Sequence, residues 1–185
     1  MNNPTEVIQG SDEWFALRLG KVTASKVADV MSKGTGRATY MDDLLAERMS
    51  GQSKPSFTND AETGFWEHDE LALGVSPDGL VGGDGVVGDH GLVEIKCPNS
   101  STHVGWLRAK KVPAKHIKQI QCQLWVTDRS WCDFVSYDPR MIEAKNRLMV
   151  VRCERDDALI AKMELEVRKF LTELDGWTKG DPDEQ

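Results

Sequence analysis

The feature that most constrains the fold is a pair of short segments in the middle of the chain. Ser76-Pro77-Asp78-Gly79 has the composition of a turn, and Glu94-Ile95-Lys96 follows it in a run of strand-forming residues. A turn and a strand at this separation predict a hairpin that brings the aspartate to the strand. Because side chains alternate across a strand, we expect the glutamate and the lysine to share one face while the isoleucine points into the core.

The polar side chains of these segments have the chemistry of a metal site. The carboxylates of Asp78 and Glu94 repel each other where they meet unless a cation neutralises them. Oxygen ligands with few histidines favour Mg²⁺, with Mn²⁺ as a substitute, over zinc, and the backbone carbonyl of Ile95 can supply a further ligand. A divalent ion would polarise a phosphodiester and lower the pKa of a bound water, which Lys96 can orient. The competing interpretation is a turn aspartate beside a surface Glu94–Lys96 ion pair.

The overall charge limits the partners of such a site. The chain has 185 residues, with 23 Lys and Arg against 30 Asp and Glu, which gives a formal net charge of −7. This balance argues against a protein that coats nucleic acid through a broad basic surface. It leaves a nuclease open, because an enzyme needs basic residues only along the groove that holds phosphates, and metal-binding carboxylates are themselves acidic.

Length and composition predict one domain in a reducing compartment. We expect a single domain over residues 1–178 and a frayed tail over 179–185. The sequence shows no signal-peptide core and no apolar segment of membrane length, which predicts a cytoplasmic protein. The four cysteines lack zinc-ligand spacing, so we expect reduced thiols, mostly in the core, at Cys97, Cys122, Cys132 and Cys153.

Hydrophobic periodicity predicts helices and strands around one sheet. The order of the elements indicates an α+β or mixed α/β architecture, with a central mixed sheet flanked by helices. The Gly/Lys/Arg segment 32–38 is predicted as a loop. Helices are expected over 11–20, 23–31, 40–49, 114–126 and 156–174, and strands over 65–68, 72–75, 79–81, 92–97, 131–137 and 148–153.

Several motifs, taken in order, resemble one known family. Over about residues 9–174 the chain is similar to the phage lambda-type exonucleases, also called the YqaJ-like viral recombinase family, within the PD-(D/E)xK nuclease superfamily. The likeness is more specific than a D…ExK pattern alone. The segments that carry it are Gly10-Ser11-Asp12-Glu13-Trp14, Leu17-Arg18-Leu19-Gly20, Thr23-Ala24-Ser25, Ser76-Pro77-Asp78-Gly79-Leu80, Glu94-Ile95-Lys96-Cys97-Pro98, Gln119-Ile120-Gln121 and Trp125-Val126-Thr127.

The resemblance implies an activity and partners. It implies a 5′-to-3′ exonuclease on double-stranded DNA ends that leaves a 3′ single strand for phage-type recombination. It also implies a ring-shaped homotrimer around DNA, a single-strand annealing protein as a partner, and a phage or prophage origin, with the enzyme in the cytoplasm of a bacterial host. Two rival functions remain: a structure-specific or restriction-type endonuclease on the same core, and a catalytically inactive DNA-binding homologue.

The resemblance also implies roles for particular residues. By position, Asp78 and Glu94 are the metal ligands and Lys96 is the catalytic lysine. Gln119 is the helix glutamine that assists at the site. The residues that hold a DNA 5′-phosphate are Arg18, Ser25 and Ser76. A guanidinium fork suits phosphate oxygens. Without the family, Arg18 is interpreted as a surface cation and Ser25 as a plain N-cap. Gln119, with Gln123 and His116 near it, is then interpreted as solvent-facing.

The chain departs from the family just before Phe65. The family has a longer segment there, with a helix whose glutamate contributes to the active site, whereas this chain has only residues 56–64. Glu62 resembles the segment after that helix, so we assign it no catalytic role. Three explanations compete: residues omitted from the sequence, a real internal deletion, or a divergent enzyme that supplies the ligand elsewhere. The first is favoured, because losing a whole helix would remove much packing, and it predicts a chain break between Asp60 and Phe65.

Overall fold

The structure is a computed structural model that describes Thr5 and residues 7–52, 64–82 and 90–179. Two short 3₁₀ helices, Ala24–Lys26 and Ala144–Asn146, accompany the main elements. In chain order these elements are α1 (Asp12–Arg18), β1 (Val22–Thr23), α2 (Val27–Val30), α3 (Thr35–Ser50), β2 (Trp66–Glu67), β3 (Leu73–Val75), β4 (Gly79–Val81), β5 (Gly91–Lys96), α4 (Ser100–Ala109), α5 (Ala114–Thr127), β6 (Trp131–Tyr137), β7 (Leu148–Glu154) and α6 (Asp157–Lys179).

The main sheet has the strand order β4-β5-β6-β7. β5 pairs antiparallel with β4 and parallel with β6, and β7 pairs antiparallel with β6. The predicted mixed sheet flanked by helices is therefore confirmed. A parallel pair cannot be joined by a tight turn, and the connection from β5 to β6 runs through α4 and α5.

The remaining strands form a second, smaller sheet of order β1-β3-β2. β1 pairs parallel with β3 through Val22 and Thr23, and β2 pairs antiparallel with β3. A strand of two residues has no periodicity of its own, so the sequence does not predict β1. The strands are thus divided between two sheets instead of being gathered in one.

Helix α1 begins where the sequence predicts, whereas helix α3 begins earlier than predicted. α1 begins after Ser11, whose Oγ accepts a hydrogen bond from the backbone N–H of Trp14 at 3.2 Å. α3 begins at Thr35, inside the segment predicted as a loop. A glycine at position 36 costs a helix about 1 kcal/mol relative to alanine, and burial of Tyr40 and Leu44 on the same helix outweighs that cost.

Helix α4 lies in a segment for which the sequence analysis predicts no element. Asn99 caps it, since Oδ1 of Asn99 accepts a hydrogen bond from the Thr102 N–H at 2.9 Å. The helix is anchored by His103, which is fully buried and bonds through its two ring nitrogens to Ser136 Oγ and the Asn146 carbonyl. A satisfied core histidine therefore fixes α4 to β6.

Helix α5 packs against two hydrophobic clusters, one on each side. One cluster packs α2, α3, α6 and the small sheet against Cys122 and Val126 of α5. The other packs the main sheet against Ile120 and Leu124 of the same helix. α5 is therefore held rigidly from both sides. Three of the four cysteines are buried, Cys97 is exposed, and all are free thiols, as predicted.

Some expectations fall outside the described residues. Glu62 lies in residues 53–63, which the structure does not describe. The chain break predicted between Asp60 and Phe65 falls largely in the same segment. α6 includes position 179, and the rest of the predicted tail lies beyond the described residues. Among the helices that the structure describes, none combines the length and apolarity needed to cross a membrane.

Candidate active site

The predicted glutamate and lysine lie on β5, on the face that α5 covers. Glu94 is 1% exposed and shares this face with the buried Leu92, while the Lys96 side chain is 30% exposed. Ile95 lies on the opposite face and is 45% exposed. The prediction that Ile95 points into the core is therefore wrong. The alternation is as expected but the faces are exchanged, because the donors that the carboxylate needs are on α5.

Asp78 reaches this site from the turn before β4. Gly79 pairs with Val93 in the antiparallel ladder, which confirms the predicted hairpin. The Oδ2 atom of Asp78 accepts a hydrogen bond from the backbone N–H of Ile95 at 2.7 Å. The structure thus brings Asp78, Glu94 and Lys96 to one place, and the carboxylate of Asp78 lies close enough to raise the pKa of Glu94.

The carboxylate of Glu94 has donors on both oxygens. Nε2 of Gln119 donates to Oε1 at 2.7 Å, and Nε2 of Gln123 donates to Oε2 at 2.8 Å. Nζ of Lys96 forms an ion pair with Oε1. Gln119 is partly buried and Gln123 is 1% exposed, so the interpretation of both as solvent-facing is wrong. A buried carboxylate requires such donors, and α5 presents them one helical turn apart.

The positive charge near Glu94 is too small to offset the effects that raise the pKa of its carboxylate. Burial is the main cause of its raised pKa, and the negative charge of Asp78 is the second. The Lys96 charge and hydrogen bonds from Lys96 and Gln123 lower the pKa and offset only part of this effect. An additional cation at this position would therefore stabilise the ionised form.

The residues present fit a hard divalent ion. In the part of the chain that the structure describes, no three His, Cys, Asp or Glu side chains group as a metal site. The candidate donors are the carboxylates of Asp78 and Glu94, with the carbonyl of Ile95 expected from the sequence as a further ligand. Mg²⁺ typically binds through one or two carboxylates and keeps water or substrate phosphates as its other ligands, so this small donor set suits it.

Arg18 and Ser76 meet through a third residue, Trp14. The indole N–H of Trp14 donates to Ser76 Oγ at 3.0 Å, and the guanidinium carbon of Arg18 lies 3.9 Å from the Trp14 ring centroid. Burial lowers the pKa of Arg18. Among the described residues no carboxylate forms an ion pair with Arg18, and stacking on Trp14 holds its side chain.

Ser25 lies in the 3₁₀ helix that follows β1. It is exposed, and its Oγ lies 3.4 Å from Oγ1 of Thr23. The interpretation of Ser25 as a plain N-cap is wrong, because Thr23 holds the cap position and makes no side-chain cap hydrogen bond. The described contacts do not connect Ser25 to the cluster of Trp14, Arg18 and Ser76.

His116 lies beside the lysine of the site. Its ring stacks on Phe134 at a centroid distance of 5.3 Å and meets the edge of Trp106 at 5.7 Å. Burial, then the positive charges of Lys96 and Lys115, lower its pKa to about 4. The ring is therefore neutral at pH 7. The only sequence signal for His116 and Gln123 is their spacing from Gln119 along α5.

The mixed sheet and the site agree with the expected fold, and the comparisons with known proteins show that the chain is a DNA exonuclease. Residues 53–130 match the YqaJ-like viral recombinase domain. With the solved structures described next, this match shows that the chain belongs to the lambda-type exonuclease family. No curated protein matches the chain at a significant level.

The solved relatives include an alkaline exonuclease, LHK-Exo, from Laribacter hongkongensis. It is 41% identical, the match covers 91% of this chain and 95% of that one, and the TM-score is 0.80. The same values hold for LHK-Exo in complex with dAMP. A phage-related exonuclease from Haemophilus somnus 129PT is 14% identical, with 86% and 95% coverage and a TM-score of 0.59, and it supports the fold alone.

Proposed function

We propose that this exonuclease digests linear double-stranded DNA in the 5′-to-3′ direction with Mg²⁺, and leaves a 3′ single strand for phage-type recombination. The observation that carries the proposal is the buried Glu94 carboxylate, which lies beside Asp78 and receives two neutral amide donors and one ammonium. This arrangement supplies negative charge for a divalent ion and a lysine for the transition state.

The chain's own residues divide the work. Asp78, Glu94 and the Ile95 carbonyl would hold the ion, which when bound polarises the phosphate and activates water. Gln119 keeps Glu94 oriented through its hydrogen bond to Oε1. Lys96 is only partly buried, so its ammonium can donate to the attacking water or to a phosphate oxygen.

The DNA end would be held by a second set of residues. Arg18, Ser25 and Ser76 would bind the 5′-phosphate, and the Arg18–Trp14–Ser76 contacts support two members of this set. Ser25 is supported by its exposure alone. A guanidinium is a suitable partner for a terminal phosphate, because its planar fork of N–H donors matches the phosphate oxygens.

The family supports three further parts of the proposal. A homotrimer would enclose the duplex, which suits an acidic chain because only the enclosed surface needs positive charge. A single-strand annealing protein would take over the 3′ strand. The site of action would be the cytoplasm of a bacterial host that carries the phage or prophage.

The direct test is digestion of duplex DNA labelled at either the 5′ or the 3′ end. We expect linear DNA to lose nucleotides from its 5′ ends with Mg²⁺, and neither EDTA-treated enzyme nor covalently closed circles to give products. Cleavage of closed circles would support an endonuclease instead. Metal binding without cleavage of any substrate would contradict the proposal and indicate an inactive DNA-binding homologue.

A further inference from the structure

Gln123 shares the Glu94 carboxylate with Gln119. The two glutamines lie one helical turn apart on α5, and they donate to different oxygens, Gln119 to Oε1 and Gln123 to Oε2. Gln123 is 1% exposed, so its amide makes this contact in the protein interior. A buried amide is costly unless it is hydrogen-bonded, and this one is directed at the carboxylate that the active site depends on.

The other end of the Gln123 amide lacks a partner. Its Oε1 is buried and has no hydrogen-bond donor among the described residues. Turning the amide over would place Oε1 against Oε2 of Glu94, and two acceptors in contact repel each other. The carboxylate therefore fixes the amide. An unpaired buried acceptor costs roughly 1–3 kcal/mol, so the interior tolerates this cost to keep one donor on Glu94.

Gln123 differs from the other two donors in the oxygen that it reaches. Lys96 and Gln119 both contact Oε1, whereas Gln123 is the described side chain that contacts Oε2. The carboxylate plane turns about the Cγ–Cδ bond, and donors on one oxygen restrain this rotation less than donors on both oxygens. A third donor on the second oxygen fixes the plane, and a neutral amide does so without competing with a cation for the charge of Glu94.

We propose that Gln123 is a positioning residue of the active site, which fixes the orientation in which Glu94 presents its oxygens to the divalent ion. The proposal rests on the proposed function, in which Glu94 is a metal ligand. Hydrogen-bond partners of a metal ligand typically contribute about 10- to 100-fold to metal affinity or activity. Replacing Gln123 with methionine should remove this contribution at nearly constant side-chain volume.

Gln121 provides a matched control on the same helix. It is also 1% exposed, but its amide donates to the Glu154 carbonyl at 2.7 Å and its Oε1 accepts from the Asp156 N–H at 2.8 Å. These contacts anchor the end of β7 and the start of α6, away from Glu94. Gln121→Met therefore removes a buried glutamine without touching the carboxylate.

The experiment compares the full-length wild type, Gln123→Met and Gln121→Met. Mn²⁺ binding without DNA is measured from the paramagnetic resonance signal of the free ion. The cleavage rate constant on linear duplex is measured at saturating Mg²⁺, and thermal unfolding is followed in EDTA. We expect Gln123→Met to weaken Mn²⁺ binding by about tenfold or more, and Gln121→Met to lower Tm with binding and rate constant nearly unchanged.

The outcomes separate the two levels of the proposal. If the wild type binds Mn²⁺ and cleaves DNA, and Gln123→Met does both equally well, the role of Gln123 is refuted while the proposed function stands. If the wild type itself does neither, the proposed function fails and the role of Gln123 falls with it. Should Gln123→Met not fold, Gln123→Asn gives the same comparison, because its amide is one methylene too short to keep the 2.8 Å contact.

Discussion

The indole of Trp14 and the hydroxyl of Ser76 are joined by a hydrogen bond of 3.0 Å, although 62 residues separate them in sequence. Trp14 is fully buried in α1, and Ser76 lies in the turn that leads to Asp78. This contact fixes the first helix, and with it Arg18, to the segment that carries a proposed metal ligand. If Arg18 holds the DNA end as proposed, this contact sets the distance between that end and the proposed metal ligands.

The first prediction concerns the 5′ end of DNA. We expect duplexes with 5′-phosphate to be digested faster than duplexes with 5′-hydroxyl. Arg18→Ala should remove this preference, because Arg18 is the cationic side chain among the three residues proposed to hold the 5′-phosphate. Added salt should reduce it as well. Arg168→Ala, on the exposed face of α6, is the control and should keep the preference. If the wild type digests 5′-phosphate and 5′-hydroxyl duplexes at the same rate, Arg18 has no role in binding the 5′-phosphate.

The second prediction separates Lys96 from the metal ligands. Lys96→Ala should slow cleavage by about 10²- to 10³-fold while Mg²⁺ still binds, because the ammonium acts on the transition state and is not a ligand. Without metal, the buried Glu94 carboxylate keeps its two amide donors but loses its only ion pair among the described residues, which should lower the free energy of unfolding by roughly 1–3 kcal/mol. Mg²⁺ should restore more stability to this variant than to the wild type.

Calorimetric Mg²⁺ titration and thermal unfolding with and without EDTA measure these effects. Glu94→Ala should lose both metal binding and cleavage, and Lys162→Ala, an exposed change on α6, should lose neither. A Lys96→Ala variant that no longer binds Mg²⁺ would show that the division of roles is wrong.

The third prediction concerns pH and His116. The pKa of His116 is lowered to about 4 in the folded state, whereas an unperturbed histidine in the unfolded chain has a pKa of about 6.5. Between these two pH values the unfolded chain therefore binds a proton that the folded chain does not. Stability from this group is therefore present above about pH 6.5 and is lost as the pH falls towards 4. The loss should be about 1 kcal/mol, since the ring is only partly buried and solvent screens its charge.

Urea unfolding of the wild type and His116→Phe at pH 7.5 and pH 5 measures this contribution. Phenylalanine keeps the stacking on Phe134 and cannot titrate, so the variant should lose less stability on acidification. Parallel losses in the two proteins would contradict the assignment.

The fourth prediction concerns a glycine at the start of β5. A Cβ atom at Gly91 would overlap the ring of Trp131, which is 6% exposed and has little room to move. Gly91→Ala should therefore destabilise the protein by about 1–3 kcal/mol in urea unfolding. Gly105 in α4 is the control, because a Cβ there meets nothing within 4 Å, and alanine should add about 0.5–1 kcal/mol. A Gly91→Ala variant as stable as the wild type would refute the overlap.

Elements with strong local signals could be predicted from the sequence. The strand Trp131–Tyr137 has the bounds that its alternation predicted, and α5 ends one residue later than predicted. β1 and α4 could not be predicted. β1 exists only because β3 lies beside it, and α4 depends on the burial of His103 against β6.

The site divides in the same way. Asp78, Glu94 and Lys96 could be placed together from a turn and a period of two, both of which are local patterns. The burial of Gln123 could not, because a glutamine side chain is normally solvent-facing, even between apolar neighbours such as Cys122 and Leu124. Only the presence of Glu94 on a strand across the interface makes its burial favourable, and no local pattern reports that contact.

The helix that covers Glu94 belongs to the crossover between two parallel strands, and Gln119 and Gln123 lie 25 and 29 residues from the carboxylate along the chain. β5 can pair with β6 only after that whole crossover has folded back. A chain still emerging from the ribosome therefore carries the acidic residues before it can hold them in working order. We therefore expect no DNA cleavage from a nascent chain until β6 has been synthesised and has paired with β5.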